Sequence, residues 1–312
     1  LSLTITELLN LGESRLKEGG VADAHRDSRL LLAHILEVPE SKLFMEYNDL
    51  ISERTCEKYF ELIDRRGARE PLQYITGTAD FMGYTFSVGP EVLVPRRETE
   101  TLVEDAISVL KTGKFRGGVF VRPDTGASIL DLCTGSGAIA VSLTKELENV
   151  RVTASDVSAE AIAAAKKNAG SNGVSKRVNF VTGDMFEPFV GVLGSRKFDM
   201  IISNPPYIAS GVIPTLEPEV AEHEPRAALD GGEDSLDFYR IIAAEAPKHL
   251  KKGGVLALEI GFDQKDSVNA LLEETGCFPD IRSGKDLAGL DRVIFAAYAP
   301  PGKRRPKHEK KR

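Results

Sequence analysis

The chain has 312 residues, 42% of them hydrophobic and 28% charged. That is the balance of an ordinary globular protein with enough apolar mass for one large domain or two modest ones. Forty Lys and Arg against 47 Asp and Glu leave a net charge of −7, and since the last twelve residues carry +6, residues 1–300 sum to −13. A basic nucleic-acid-binding body is therefore not expected. No apolar run approaches the roughly 20 residues that span a bilayer, and no secretory pattern opens the sequence. Cys56, Cys133 and Cys277 suit neither a disulfide framework nor a zinc site, and His25, His34, His223, His249 and His308 show no ligand spacing. The expectation is a cytoplasmic, metal-free monomer without membrane contact.

Residues 1–75 read as a small helical bundle. Leu8, Leu9 and Leu16 form a first stripe, residues 24–37 bring Leu30, Leu31, Leu32, Ile35 and Leu36, and 53–66 place Cys56, Tyr59, Phe60 and Ile63 at helical spacing. Gly19, Gly20, Pro39 and Pro71 punctuate these segments. Over 76–97, short alternating apolar stretches broken by Gly83, Gly89 and Pro90 predict a hairpin linker. A helix follows at 98–110, then a glycine-rich loop at 111–127.

From 128 to 299 the pattern alternates strand and helix. SILDLC, RVTASD, VNFVTGD, FDMIIS and GVLALEI are strands, AIAVSLTKEL, SAEAIAAAKKNAG and a segment near 235–250 are helices, and RVIFAAYA closes the region, with room for an antiparallel hairpin at the edge. Such alternation predicts an α/β domain over 98–299, its mostly parallel sheet covered on both faces. The tail from 300 to 312 is expected to be disordered.

Chemistry concentrates at four strand ends, three of them acidic. Asp131-Leu-Cys133-Thr134-Gly135-Ser-Gly137 joins a strand to a helix; Gly135 and Gly137 permit a tight turn and close approach of a ligand. It is neither a full dinucleotide fingerprint nor a Walker loop, and Asp131 disfavours a pyrophosphate while suiting a cationic ligand. Asp156 ends the second strand, with Val157 beyond it, where a carboxylate can take both hydroxyls of a ribose. Asp184 follows the third, with Met185 and Phe186 beside it to flank an adenine. Asp residues also cap helices after strands, but all three with the glycine loop point to S-adenosylmethionine. Ser203-Asn204-Pro205-Pro206-Tyr207 follows the fourth strand. Asn204 and the Pro205 carbonyl can accept both hydrogens of a planar NH2 group, with Tyr207 as a flat neighbour, and this holds a poorly nucleophilic nitrogen toward a methyl donor.

DLCTGSGAIA, Asp156 and SNPPYI resemble the class I S-adenosylmethionine methyltransferases that act on planar nitrogens. REPLQYITG at 69–77, LVPRRETE at 93–100 and EPRAALDGGEDSLDFYR at 224–240 narrow this to the HemK/PrmC family, the protein-(glutamine-N5) methyltransferases of peptide chain release factors. The resemblance covers residues 1 to about 299. It implies a Rossmann-like, seven-stranded catalytic domain behind a helical substrate-recognition domain, and methylation of the glutamine of a Gly-Gly-Gln loop in bacterial class I release factors, a step of translation termination. By it, Asn204, Pro205 and Tyr207 are the catalytic group. Pro206, Phe81, Arg96, Glu224 and Arg226 would join them in binding substrate. Asp131, Cys133, Thr134, Gly135, Gly137, Asp156, Val157, Asp184, Met185, Phe186, Asn204 and Thr99 would line the cofactor site. Two departures stand out: Arg97 where the family more often has proline, which is expected to loosen the backbone, and Cys133 where many members have glycine. The rival readings are an adenine-N6 methyltransferase of DNA or RNA, which would need a basic approach surface, and a non-catalytic S-adenosylmethionine-binding protein. Glu217, Glu219 and Glu222 read as a solvated acidic loop able to steer a basic partner, and the basic tail as a solubilising segment.

Overall fold

The computed structural model describes residues 3–43, 45, 48–115, 118–119, 126–190 and 197–300. The tail expected to be disordered lies almost wholly outside these residues.

The helical region holds α1 (Ile5–Glu18), α2 (Ala24–Leu36), α3 (Glu40–Leu43), α4 (Glu53–Gly67) and α5 (Leu72–Thr76), with strands β1 (Leu3–Thr4) and β2 (Leu50–Ile51) paired beneath them. Thr4 and Glu7 form a capping box on α1, and Ser52 caps α4, each satisfying amides that the first turn leaves free. The leucine stripes meet as expected, in one cluster around Leu8, Leu16, Leu31, Leu32, Tyr59 and Ile63. Tyr59 is buried among them because its hydroxyl has a partner, the Ser28 hydroxyl at 2.7 Å. The pairing of β1 with β2 was not foreseen; two residues carry no alternation to read.

Strands β3 (Thr78–Phe81) and β4 (Tyr84–Ser87) form the expected hairpin. Its turn places Met82 and Gly83 at φ 53° and 74°, the left-handed pair that matches strand twist. Helix α6 (Arg97–Thr112) follows, and it corrects two expectations. Arg97 does not loosen the chain: it is the first helical residue after the cap Arg96, the position where proline is also favoured because its amide has no helical partner. The glycine-rich stretch after it is not all loop, since β5 (Lys114–Phe115) pairs with β6 (Gly118–Val119); most of the rest lies outside the described residues.

The remainder builds one sheet from β7 (Ala127–Leu132), β8 (Val150–Asp156), β9 (Val178–Thr182), β10 (Phe198–Ser203), β11 (Leu250–Glu259), β12 (Asp280–Lys285) and β13 (Asp291–Ala297). Their order is β12-β13-β11-β10-β7-β8-β9. The run from β9 to β11 is parallel and β13 alone is antiparallel to its neighbours. Helices α7 (Ala138–Glu146), α8 (Ala159–Ser171), α9 (Pro218–Ala221), α10 (Asp237–His249) and α11 (Lys265–Glu274) complete the chain. Alternate strand residues serve opposite faces: Ile129, Ile202 and Ala257 join the core beneath α6, α7 and α8, while Leu130, Ile201 and Leu258 join the one beneath α10 and α11. With both faces covered, the strands read as unbroken apolar runs.

The helical region is fastened to this body by ions. Arg66 gives Nε to Asp27 and Nη2 to Glu219, each at 2.8 Å, and Arg69 reaches Glu219 and Glu217. The supposed solvated acidic loop is thus partly neutralised. Burial pushes the Glu219 carboxyl up, but hydrogen bonds from Arg69 and Arg66 outweigh it and bring it down to about 2. Arg66 and Asp27 are 7% and 6% exposed. Replacing Arg66 by alanine strands the buried Asp27 carboxylate and leaves Glu219 to Arg69 alone, so Arg66→Ala should lower unfolding stability by about 3–5 kcal/mol in a urea titration.

Candidate active site

Strands β7 and β10 are neighbours, yet the chain leaves β7 toward β8 and β10 toward β11. Helices therefore cross to opposite faces and leave a crevice at the carboxyl edge, where ligands of such sheets bind. A cavity of about 350 Å³ occupies it.

Its floor is the glycine loop. Thr134, Gly135 and Cys133 line the cavity, whereas Gly137 lies behind. Gly135 sits at φ 53° with open space where a side chain would be, and Gly137 at φ 81° faces Ala165 so closely that a Cβ would meet it at 3.0 Å. One glycine opens the floor to a ligand; the other lets α7 and α8 pack. Cys133 is itself at φ 58°, a conformation glycine adopts without strain. Burial pushes its thiol up, with Asp156 adding to the effect.

The three acidic strand ends play different parts. Asp156 lines the cavity while Oδ2 accepts from Gly135 N at 2.9 Å and Oδ1 from Ser158 N at 3.0 Å. These bonds fix the carboxylate against the loop and leave each oxygen a further lone pair. Asp184 lines the cavity and is exposed; Met185 lines it, but Phe186 does not, being buried and stacked on His249 at 5.0 Å. Asp131 also departs from expectation. It is fully buried, outside the lining, and accepts from the Thr134 hydroxyl at 2.6 Å; burial pushes it up to about 7. It braces the loop from beneath.

The opposite wall holds the Asn204 motif. Asn204 and Pro206 line the cavity, with Pro205 buried between them. Asn204 Nδ2 donates to Thr99 Oγ1 at 3.1 Å, so Oδ1 remains the free acceptor. Thr99 lines the cavity from the first turn of α6. Tyr207 is not in the lining: its ring packs on the core beneath α10 and α11, and its hydroxyl donates to Glu259 Oε1 at 3.2 Å. Glu259, the last residue of β11, is a fourth acidic strand end that the sequence reading passed over although the signal was the same.

Phe81 and Arg96 complete the mouth with Leu93 and Phe238. Glu224 does not line it; it is buried, takes the Val94 amide at 3.1 Å and pairs with Arg96. Arg226 is exposed and paired with Asp230 instead. Asn168 was unforeseen: wholly buried on α8, it bonds both Ser87 backbone groups and the Ser136 carbonyl, tying the hairpin to the glycine loop. Asparagine inside an alanine-rich helix was its only signal.

Residues 7–77 match the family described as PrmC N-terminal domain, and residues 120–222 the methyltransferase small domain. The release factor glutamine methyltransferase of Geobacter sulfurreducens is 40% identical over 93% of this chain and 95% of its own length. The protein of the same name from Agrobacterium fabrum is 38% identical over 93% and 96%. Among solved structures, the human hMettl16 catalytic domain in complex with an RNA hairpin superposes with a TM-score of 0.53 over 82% of this chain and 86% of that one, at 15% identity; that likeness is one of fold. A protonated thiol is a poor nucleophile, so iodoacetamide at pH 8 should modify Cys133 at least about tenfold more slowly in the folded chain than in denaturant, as mass spectrometry of its peptide would show.

Proposed function

We propose that this chain, which belongs to the release factor glutamine methyltransferase family, transfers the methyl group of S-adenosylmethionine to the side-chain amide nitrogen of a release factor's Gly-Gly-Gln glutamine. The observation that carries this reading is the Asn204–Thr99 hydrogen bond, which occupies the Asn204 NH2 and leaves a carbonyl oxygen beside the cavity. With the Pro205 carbonyl, it gives two acceptors where an NH2 group needs them.

The residues present suit the cofactor. Asp156 has lone pairs to spare for a ribose diol, Asp184 and Met185 suit an adenine, and Gly135 lets the ligand approach the backbone. Bound there, S-adenosylmethionine supplies an electrophilic methyl group. Asn204 and Pro205 hold both amide hydrogens, which turns the nitrogen toward that methyl and favours the positive charge it gains. No base is needed before attack; the extra proton leaves once the nitrogen is cationic. Phe81 and Arg96 shape the entrance, and Glu224 acts through Arg96.

The helical region over 1–75 would recognise the factor, the hairpin over 76–97 would link it, the catalytic domain would run over 98–299, and the tail from 300 would be a solubilising segment. Among the described residues no helix is long and apolar enough to cross a membrane, and we place the working enzyme in the cytoplasm as a monomer that needs no metal and forms no stable nucleic-acid complex. An adenine-N6 reading fares worse, since residues 1–300 carry −13 and an extruded base needs a basic approach.

Purified full-length release factor, the same factor with its glutamine changed to alanine, and unmethylated DNA and RNA should be incubated with labelled S-adenosylmethionine. Label is expected on the unaltered factor alone, and Asn204→Ala should reduce kcat by about 10²–10³-fold. Label on nucleic acid only would overturn the assignment. In the same preparation, Asp156→Ala should weaken cofactor binding by about tenfold or more, as expected from losing charge-assisted hydrogen bonds, when titrated calorimetrically.

A further inference from the structure

Prolines at 205 and 206 leave the loop after β10 without two of its amides, so it has carbonyls to offer but few donors with which to fix itself. What fixes it comes from elsewhere in the chain. Gln264, 6% exposed and just ahead of α11, donates Nε2 to the Tyr207 carbonyl at 3.0 Å and to the Ser235 hydroxyl at 2.7 Å. Its Oε1 accepts from Gly261 N at 2.8 Å, just beyond β11. A backbone amide only donates and a carbonyl only accepts, so these partners allow the Gln264 amide one orientation. Gly231 closes on the same loop: a Cβ there would meet Pro206 O and Tyr207 Cα at 2.9 Å. The next residue, Ile208, gives its amide to Leu229 O at 2.9 Å and takes the Gly231 amide at 2.8 Å.

We propose that Gln264 is a positioning residue: by holding the Tyr207 carbonyl it sets the backbone of the loop from Asn204 to Tyr207, and so the direction in which the Pro205 carbonyl meets the substrate amide. The inference rests on the proposed reaction and deepens it. Asn204 has its own anchor, the bond from Nδ2 to Thr99. The Pro205 carbonyl goes where the backbone puts it. The fixed φ of Pro206 stiffens the chain between the two carbonyls, so a displacement at Tyr207 is carried back to Pro205. Remove the Gln264 donor and the Tyr207 carbonyl is left buried without that bond, free to turn away. The substrate NH2 then keeps Asn204 but loses its second acceptor, and the loss is partial.

The test compares Gln264→Glu and Gln264→Met in the whole chain, with release factor and labelled S-adenosylmethionine. Glutamate keeps an acceptor for Gly261 N but sets its other oxygen against the Tyr207 carbonyl. Methionine keeps the length and removes both bonds. Either variant should lower kcat by about 10- to 100-fold, as expected of one misplaced acceptor in the transition state, with KM for S-adenosylmethionine within about twofold. Combined with Asn204→Ala, the losses should fall short of multiplying, because both residues act on one substrate amide. Independently of activity, hydrogen exchange read by mass spectrometry should be at least about tenfold faster at the Ile208 and Gly231 amides, while β11 keeps its wild-type rates. A residue that only fills the core would speed exchange in β11 as well. That result, unchanged exchange at Ile208 and Gly231, an unchanged kcat, or losses that multiply would each overturn the proposal. Should Gln264→Glu fail to fold, Gln264→Met, which buries no charge, decides by the same readouts. If the wild-type chain labels no glutamine, the proposed reaction fails, while the exchange rates still decide whether Gln264 holds the loop.

Discussion

The crossing of the chain between β7 and β10 is the constraint from which the site follows. Parallel strands can be joined only by crossovers, and the crossovers after these two neighbours run to opposite faces. Their carboxyl ends are thus left side by side without a helix above them. Into that gap the sequence puts short loops of different character: a glycine turn after β7 that brings backbone close to a ligand, and a proline pair after β10 that offers carbonyls without competing amides. Neither loop would form a site alone. The register of β7 with β10, Leu132 beside Ser203, brings them together, and the Ser203 hydroxyl locks it by donating to the Leu132 carbonyl at 2.8 Å.

The acids on this edge divide by burial more than by type. Asp156 and Asp184 reach the cavity, while Asp131 and Glu259 are sealed behind it, and burial pushes each of the latter to about 7. A buried carboxyl is costly unless partnered, and here each accepts from a hydroxyl: Asp131 from Thr134, which lines the cavity, and Glu259 from Tyr207, which packs in the core behind it. Behind the glycine loop the Asp131–Thr134 bond stiffens the cavity floor; behind Asn204, Glu259 holds the Tyr207 hydroxyl.

How much of this could be read from the sequence depended on how local the signal was. Strands buried on both faces announce themselves as apolar runs, so the parallel core and the loops after its strands were legible. The antiparallel hairpin for which the sequence leaves room at the edge is β12 with β13, though the bounds of β12 were not legible, since DIRSGK carries no apolar pattern and the strand forms by pairing with β13. The glycine loop, Asp156 and Asn204 stand out in the sequence because each combines an unusual residue with a strand end, and the fold brings them to one cavity. Tyr207 and Phe186 read as flat neighbours of the ligand, and both pack into the core beneath α10 and α11, outside the cavity lining. Glu224 and Asp131 show a related limit: sequence shows that an acid is near the site, not that it is buried outside the cavity lining.

The segment between Glu217 and Glu224 connects two matters that sequence presents separately. At one end Glu217 and Glu219 hold Arg69 and Arg66 of the helical region; at the other Glu224 holds Arg96 and the Val94 amide at the cavity mouth. The short helix α9 lies between them. The mostly buried Glu219 pairs with Arg66 and Arg69 favour a single geometry because a displaced charge would be left unpaired, as does the buried Glu224 beside Arg96. A substrate that shifts the helical region must therefore pull on the same few residues that set Arg96 over the entrance. A small molecule bound in the cavity alone would exert no such pull. The arrangement suits a macromolecular substrate that engages both parts of the chain at once.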